Sequence, residues 1–264
     1  MDLQLSAKTA FISGSTSGIG YATAKLLLKE GAGVIINGRT KEGVDKAISS
    51  LKQEGTDAPL SGLATDFSKP EDIQSLLQQL PHIDILINNV GIYQSRSFFE
   101  TTDQDWYQHF EVNVMSGVRL SRHCLPKMLE RNWGRILFIS SECATLAPPD
   151  LIAYSMTKTA LLSISRGLAQ LTKGTHVTVN TVIPGSTLTE GAKQFLLEIA
   201  QKENKTKKEA EEDFFTNIRS SSLLQRFAKV EEVAHTITYW ASPLSSATNG
   251  AAIKIDGGSM GGIL

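Results

Sequence analysis

The chain has 264 residues, of which 41% are hydrophobic and 20% charged, and its formal net charge is −1. This near-neutral balance argues against a nucleic-acid-binding surface, since phosphate contacts need clustered lysine and arginine. The two cysteines, Cys124 and Cys143, form neither a disulfide framework nor a metal site. No signal peptide is visible, and no apolar run has the roughly 20 residues of a membrane span. We therefore expect a cytoplasmic protein without metal or membrane partners.

A strand, a glycine-rich turn and a helix open the chain. Residues 7–13 read as a short buried strand, and glycines at positions 14, 18 and 20 follow it. A helix from residue 21 to about 30 and a second strand over 34–37 complete a unit of the size of a dinucleotide-binding βαβ. Glycines permit the tight turn and let the backbone approach a pyrophosphate at the helix N-terminus. The alternative is a strand-to-helix turn that binds no ligand.

Strands and helices then alternate along the rest of the chain. Further strands are predicted over 58–64, 83–87, 134–139, 176–182 and 251–255, and helices over 42–54, 103–128, 190–219 and 230–240. Strands rich in valine and isoleucine between helices are typical of a doubly wound α/β sheet. We predict a Rossmann fold with seven parallel strands, helices on both faces and a single domain over 1–264. Its ligands would bind at the carboxyl ends of the strands.

Tyr154 and Lys158 lie four residues apart in a segment with helical periodicity, so both point to one face of a helix. An ammonium group beside a phenol favours the phenolate and would lower the tyrosine pKa towards working pH. Such a tyrosine can exchange a proton with a substrate oxygen. By itself the pair has an ordinary alternative, an amphipathic surface helix with a half-buried tyrosine.

Several motifs together resemble the short-chain dehydrogenase/reductase family, including its 3-oxoacyl-(acyl-carrier-protein) reductase-like members. They are the Gly-x-x-x-Gly-x-Gly turn, the Asn-Asn-x-Gly that ends at Gly91, the Tyr154-x-x-x-Lys158 pair, and Ser141 thirteen residues before Tyr154. Ser13 stands where the family most often has threonine, and Val90 where it has alanine. The resemblance covers essentially the whole chain and implies hydride transfer between a nicotinamide cofactor and a carbonyl or alcohol.

The resemblance also implies catalytic roles. Tyr154 would be the general acid in reduction, Ser141 would polarise the substrate oxygen, and Lys158 would lower the tyrosine pKa and bind the nicotinamide ribose. Asn113 would hold a water at a local break in its helix and complete a proton relay. Ser140, the neighbouring serine, is more typical of a packing residue at a strand end.

The cofactor would lie along the carboxyl ends of the strands. After the second strand the family's acidic residue is absent, and Arg39 can pair with a 2′-phosphate, which favours NADP(H) while NAD(H) stays possible. Each residue has an alternative role. Arg39 could only begin a loop. Asp66 could cap the next helix instead of binding adenine, whereas it is left to bind adenine if Ser68 is the cap. The expected cofactor contacts are Gly14, Ser15, Ser17, Gly18, Ile19, Gly20, Arg39, Asp66, Phe67, Asn89, Val90, Gly91, Tyr154, Lys158, Pro184, Gly185, Thr187 and Thr189.

The substrate side is less defined by the sequence. Helices over about 189–220 would form a substrate lid, and Glu142 and Cys143 lie where specificity is expected. A moderately apolar ketone, such as a 3-oxoacyl thioester, is favoured by the candidate wall residues Ile92, Tyr93, Cys143, Leu146, Leu151 and Ile152. An acyl-carrier partner would need a basic patch at the pocket mouth, to which Lys127, Arg131 and Lys173 could contribute, although solvated surface charges explain them better.

Other functions remain open at this point. The chain could be a catalytically silent NADP-binding sensor or scaffold, an NAD-dependent sugar or polyol dehydrogenase, or a nucleotide-sugar epimerase or dehydratase. The four candidate catalytic residues count against the first, and the short chain and glycine spacing against the last. The resemblance also implies a homo-oligomer, either a tetramer or a dimer.

Overall fold

A computed structural model describes residues 1–55 and 57–262. Within these residues, seven strands form one parallel sheet in the order β3-β2-β1-β4-β5-β6-β7. The strands are β1 (Thr9–Ile12), β2 (Gly33–Gly38), β3 (Leu60–Ala64), β4 (Ile85–Asn88), β5 (Gly134–Ile139), β6 (Val177–Pro184) and β7 (Ala252–Ile255). The doubly wound parallel sheet expected from the sequence is therefore confirmed.

The helices pack on both faces of this sheet. They are α1 (Gly18–Lys29), α2 (Lys41–Lys52), α3 (Pro70–Gln79), α4 (Asp103–Phe110), α5 (Ser116–Glu130), α6 (Cys143–Leu146), α7 (Ile152–Gln170), α8 (Glu190–Lys202), α9 (Lys207–Asp213) and α10 (Val230–Trp240). A π turn over Glu111–Met115 joins α4 to α5, and a second one, Phe214–Ile218, follows α9.

Alternating strand residues build the two halves of the core. Ile12 and Ile87 pack towards α1 and α10 on one face, whereas Phe11 and Leu86, one position earlier, pack on the opposite face. This period of two follows from the strand pleat, and the burial of both faces explains why the strands are almost wholly apolar. A third, separate cluster lies in the segment after β6 and contains Phe214, with other apolar residues of α8 and α9.

Some element boundaries differ from those predicted. α1 begins at Gly18, three residues earlier than expected, because the glycine turn itself enters the helix. α5 continues four residues past Pro126, a residue type that usually kinks or ends a helix. Proline there removes one backbone hydrogen bond, and its exposed position lets solvent reach the free carbonyl group. The loop after β5 contains the short helix α6, which was not predicted.

Within the described residues, no helix is both long and apolar enough to cross a membrane. The same part of the chain contains no group of three or more histidine, cysteine, aspartate or glutamate side chains that could hold a metal ion.

The strand order reverses between β1 and β4, and a crevice opens at the carboxyl ends of these two strands. Ser13, directly after β1, spans this crevice. Its buried hydroxyl accepts hydrogen bonds from the backbone amides of Asn89, at 3.0 Å, and Val90, at 3.1 Å, and the Ser13 amide donates to the Ile87 carbonyl. The hydroxyl therefore links the ends of β1 and β4 at the point where the backbone hydrogen bonds between the two strands end.

Replacement of Ser13 by alanine should lower the free energy of unfolding by about 1–3 kcal/mol, because two buried amides lose their acceptor. Ser13→Thr keeps the hydroxyl and should stay close to wild type. Urea unfolding of both variants measures the difference. Equal loss of stability in the two variants would show that side-chain size, and not the hydroxyl, matters at this position.

Candidate active site

The glycine turn between β1 and α1 is shaped for close approach to its surroundings. Gly14 and Gly18 have φ of 63° and 58°, a conformation that favours glycine. A Cβ on Gly14 would lie 2.9 Å from the Cα of Val90, so no larger residue fits without movement. The Gly14 amide donates to the side-chain oxygen of Asn37 at 3.0 Å, which holds the turn against β2. The N-terminus of α1 is thereby presented beside the turn, where its free amides favour an anion.

Two of the predicted cofactor contacts have structural roles behind this turn. The buried Ser15 hydroxyl donates to the Ile12 carbonyl at 2.7 Å and accepts from the Asn37 amide. A Cβ on Gly20 would lie 2.6 Å from the side-chain nitrogen of Asn89, which itself donates to the Gly14 carbonyl at 2.7 Å. Ser15 and Gly20 are absent from the lining of both cavities described below.

A cavity of about 420 Å³ lies beside β2 and β3. Arg39 is exposed at its edge and Asp66 lies opposite. Hydrogen bonds from Ser68 lower the pKa of the Asp66 carboxyl, and the positive charges of Lys69 and Arg39 add to this effect. Five predicted cofactor contacts line this cavity: Gly14, Arg39, Asp66, Phe67 and Val90.

Ser68 does not cap α3, because Lys69 occupies the N-cap position without a side-chain hydrogen bond. The Ser68 hydroxyl instead donates to Asp66 at 2.7 Å. The prediction that Ser68 caps the helix is therefore wrong.

A second cavity, of about 410 Å³, lies at the ends of β4, β5 and β6, and it meets the first at Ile92. Three of the four predicted catalytic residues line it: Ser141, Tyr154 and Lys158. Asn113 is buried behind its wall. The predicted cofactor contacts in this lining are Ser17, Gly18, Ile19, Asn89, Gly91, Pro184, Gly185, Thr187 and Thr189, together with Tyr154 and Lys158.

The α7 helix sets the geometry of this second cavity. The Lys158 ammonium lies 5.5 Å from the centroid of the Tyr154 ring and donates to the Ile139 carbonyl at 2.8 Å. Ser140 anchors the helix to β5, since its hydroxyl donates to the Lys158 carbonyl at 2.8 Å. The Ser141 hydroxyl, which accepts from the Cys143 amide at 3.2 Å, lies beside the Tyr154 phenol. A hydroxyl, a phenol and an ammonium group therefore face one space, which can accommodate and protonate a carbonyl oxygen.

Comparison with known proteins agrees with this arrangement. A model of the short chain dehydrogenase family matches residues 8–199. The chain belongs to this family. Over 258 residues it is 50% identical to oxidoreductase YvaG of Bacillus subtilis, and the match covers 98% of each chain. It is 30% identical over 261 residues to the 3-oxoacyl-(acyl-carrier-protein) reductase FabG of Aquifex aeolicus, covering 98% of this chain and 99% of that protein.

Solved structures give the same family. The L-sorbose reductase of Gluconobacter frateurii, crystallised with NADPH and L-sorbose, has a TM-score of 0.93 and 30% identity, with full coverage of both chains. A 3-oxoacyl (acyl-carrier-protein) reductase of Agrobacterium tumefaciens, with NADP bound, has a TM-score of 0.86 and 26% identity over 97% of this chain and 96% of that one. This short-chain dehydrogenase is therefore an oxidoreductase.

Burial dominates the pKa values in the second cavity. Burial raises the pKa of the Tyr154 phenol, and the hydrogen bond from Ser141 opposes this only in part. Burial also lowers the pKa of Lys158 from its ordinary value of 10.5 to about 8. In the chain by itself, removal from water is the largest influence on both groups, and a lowering of the Tyr154 pKa by Lys158 stays a prediction.

Asn113 lies in the π turn between α4 and α5, so the predicted break in the helix is confirmed. Its side-chain oxygen accepts from the Ile92 amide at 2.7 Å, and its nitrogen donates to the Ile92 carbonyl at 2.9 Å and to Thr157 at 3.0 Å. The side chain thus braces the segment after β4 against α7. Retention of a water by Asn113 stays a prediction.

Most of the residues predicted to form the substrate wall do not line the second cavity. Of the six candidate wall residues, Ile92 and Tyr93 line the second cavity, whereas Cys143, Leu146, Leu151 and Ile152 are absent from its lining. The Tyr93 ring packs edge-on against Tyr154 at 6.0 Å between centroids. The cavity also has Glu190 and Gly191 in its lining, which the sequence did not single out.

Lys127, Arg131 and Lys173 are exposed surface charges, in agreement with the preferred interpretation of the sequence, and they lie at the edge of the sheet away from the cavities. Lys127 is in the last turn of α5 and Arg131 follows it, directly before β5 begins. Lys173 lies between α7 and the start of β6. All three therefore flank the amino ends of the strands, opposite the two cavities, and cannot form a docking surface at the pocket mouth.

One ion pair beside the site is not indicated by the sequence. The Glu142 carboxylate, 4% exposed, pairs with the Arg219 guanidinium at 2.8 Å and accepts from the Ser186 hydroxyl at 2.9 Å. Glu142 had been noted for its place after Ser141, but its partner is 77 positions away along the chain. No local pattern in the sequence indicates such a pair.

The buried Lys158 predicts a pH dependence of stability. Its folded pKa is lower than its unfolded value, so the unfolded chain binds more protons between pH of about 8 and 10.5, and folding is favoured as pH rises across this interval. The stability of wild type relative to Lys158→Met should rise by roughly 3 kcal/mol over that range. Urea unfolding of both proteins at the two pH values measures it. A constant difference would contradict the depressed pKa.

Proposed function

We propose that the chain is an NADP(H)-dependent enzyme that interconverts a ketone and a secondary alcohol. The observation that carries this proposal is the shared lining of one cavity by Ser141, Tyr154 and Lys158 together with the glycine turn and the end of β6. Acid, hydrogen-bond donor and cation would thus stand beside the place where a nicotinamide ring fits. A silent sensor would have no need of these three groups in one space.

The residues present fit a dinucleotide. A Cβ on Gly91 would lie 3.2 Å from the Lys158 nitrogen, so only glycine leaves open the space beside that ammonium group. The amides at the start of α1 would hold the pyrophosphate, and Asp66 the adenine. Bound NADP(H) supplies the hydride, and the chain supplies its orientation.

Arg39 supports the phosphorylated cofactor over NAD(H). Its guanidinium stands at the edge of the first cavity, where a 2′-phosphate of the adenosine ribose would lie. Gly38 precedes it in place of an acidic residue, and any side chain at that position would meet the Thr16 methyl group. An acidic residue that would repel the phosphate therefore has no room at position 38 unless Thr16 moves. The solved relatives that contain NADPH or NADP give the same preference.

Proton transfer would run along one line of groups. Ser141 would donate to the substrate oxygen and Tyr154 would protonate it. Lys158 donates one of its three protons to the Ile139 carbonyl, which leaves two for the ribose and a water. Asn113 and Lys158 both lie against Gly91, so a water held beside Asn113 would complete the relay from the lysine.

Two substrate classes compete for the second cavity. A 3-oxoacyl thioester agrees with the similarity to the FabG reductase. A polar hydroxy ketone agrees with the similarity to L-sorbose reductase and with the presence in the lining of Ser141 and Glu190, two polar residues that are not assigned to the cofactor. The lining favours the hydroxy ketone, since a polar substrate finds partners for its hydroxyl groups there.

The segment over 189–220 is proposed as a lid over the substrate. It begins at the cavity wall with Thr189 and Glu190, and its helices pack around their own apolar cluster instead of the main core. Such a segment can move as a unit while the sheet stays fixed.

Tyr154→Phe removes the proposed acid and leaves the ring in place. Turnover should fall by about 10² or more, while the Kd for NADPH should stay within roughly threefold of wild type. A panel of carbonyl compounds, including L-sorbose and a 3-oxoacyl thioester, is assayed by NADPH oxidation, and cofactor binding by fluorescence. Turnover of the variant at the wild-type rate would refute the assignment of Tyr154.

Arg39→Met removes the charge and retains the length of the side chain. The Kd for NADPH should rise by about 10- to 100-fold, because a charge-assisted contact with the phosphate is lost, and the Kd for NADH should not change. NADH is the internal control, since it lacks the phosphate. A wild-type enzyme that prefers NADH would contradict the role given to Arg39.

A further inference from the structure

One buried ion pair ties the segment 190–219 to the loop between β5 and α7. This loop contains Ser141 and is called the catalytic loop below. Arg219, at the end of the second π turn, donates through Nε to Glu142 at 2.8 Å, and the two side chains are 12% and 4% exposed. Among the ion pairs of the described residues, this is the one that joins residues 190–219 to the rest of the protein; those of Lys205 and Lys208 stay within the segment.

The surroundings of Glu142 connect three parts of the site. The residue directly follows Ser141, its amide donates to the Pro184 carbonyl at the end of β6, and its Oε1 accepts from Ser186 as well as from Arg219. Its Oε2 is buried and has no partner within the described residues. A buried carboxylate with so few partners depends strongly on its single cation, since loss of that cation leaves an uncompensated charge.

The attachment of the segment to the rest of the fold leaves its helices free to move. The residues that flank the segment on both sides come together through a short backbone pairing, in which the Leu188 amide donates to the Ala228 carbonyl and the Ala228 amide to the Ser186 carbonyl. Between these residues, Phe214 and Phe215 belong to the separate apolar cluster. The Arg219–Glu142 pair is therefore placed to decide whether the segment lies against the catalytic loop or moves away from it.

We propose that Glu142 and Arg219 form a latch that holds the lid helices against the catalytic loop and thereby positions Ser141 towards the substrate. Both are positioning residues, because each acts through a neighbour of the reacting groups. The lid's role rests on the proposed function, whereas the closure of the latch can be measured without cofactor or carbonyl compound.

Cys143 reports the state of the latch. Its sulfur lies 3.9 Å from the Arg219 Nη2, and the residue is buried. The positive charge of Arg219 lowers the pKa of the Cys143 thiol against the larger effect of burial. Loss of Arg219 would therefore reduce the thiolate fraction, so faster labelling of Cys143 in a variant can arise only from opening. Cys124, buried in α5, is the other cysteine and serves as the internal control.

The groups around Tyr154 define a second readout. Its phenol is faced by Ser141, Cys143 and Tyr93, by Lys158 from its own helix, and by the Glu142 carboxylate, whose charge raises the phenol pKa. In the direction of alcohol oxidation, where the phenolate is needed, Glu142→Gln should shift the rising limb of the kcat profile to lower pH. Arg219→Met should not lower it, since this variant removes no negative charge from the surroundings of the phenol.

The test compares N-ethylmaleimide labelling of the two cysteines, followed by mass spectrometry, in wild type, Arg219→Met and Arg219→Lys. Arg219→Met should label Cys143 about tenfold faster with Cys124 unchanged, and Arg219→Lys should restore most of the protection. Arg226→Met is the matched control, because it removes a nearby exposed ion pair, to Glu232, that does not touch the catalytic loop. Labelling of Cys143 at the wild-type rate in Arg219→Met would overturn the latch.

Kinetics with an active carbonyl compound complete the test. Arg219→Met should lower kcat/KM by about 10²-fold, as expected for a displaced catalytic group, and leave the Kd for NADPH within roughly threefold, because the adenosine end lies at Arg39 and Asp66. Equal acceleration of labelling at both cysteines with a matching fall in Tm would mean a general loss of stability and would also refute the latch. Absence of any carbonyl activity in wild type would count against the proposed function, but the labelling result would still decide the latch.

Discussion

The crevice between β1 and β4 is the constraint from which the rest of the site follows. Parallel strands that diverge leave backbone amides and carbonyls without ladder partners, and a buried group of this kind costs free energy unless a side chain satisfies it. Ser13, Asn37 and Asn89 supply those bonds, each of them to a backbone group of the opposite segment. Polar side chains therefore fix the position of the glycine turn, and the space beside it is a groove that can accommodate a cofactor.

The same crevice determines the electrostatics of the reacting groups. Tyr154 and Lys158 lie where water is excluded, and burial moves both pKa values away from the charged forms. An ammonium group with a pKa of about 8 is easily shifted by a neighbouring charge or a hydrogen-bond acceptor. A ribose and a substrate oxygen at this place would add acceptors for the lysine and a partner for the phenol. With a pKa of about 8, Lys158 loses its proton more readily than an exposed lysine does, and a bound ligand can change this.

The sequence predicted the architecture well because buried parallel strands and the glycine spacing are local signals. The bounds of β5 and α10 agree with the predicted ones, and the end of every strand that carries a candidate residue was placed within two positions. Local signals fail where a side chain's partner comes from a distant segment. Asn113 is an example, since its amide bonds to the backbone of Ile92 and to Thr157, contacts that no spacing rule indicates, whereas the water expected beside it stays a prediction.

The misplaced basic patch has a related cause. Charge alone groups Lys127, Arg131 and Lys173, but it does not show at which end of the strands they lie. Each lies before a strand, and in a parallel sheet every residue directly before a strand belongs to the amino edge. Charge alone does not supply this information, whereas the positions of the predicted strands along the chain do.

The two ends of the site also differ in how they are supported, and this difference bears on specificity. The cofactor end rests on the sheet and on glycine contacts that leave almost no freedom. The substrate end rests on helices with their own core and on the buried Glu142–Arg219 pair. A rigid cofactor groove can be shared by many relatives, while a hinged wall can change its lining without disturbing the fold. Under the proposed function, substrate choice would depend on the segment after β6, where sequence patterns are least informative because the packing is decided by contacts between residues far apart in the chain.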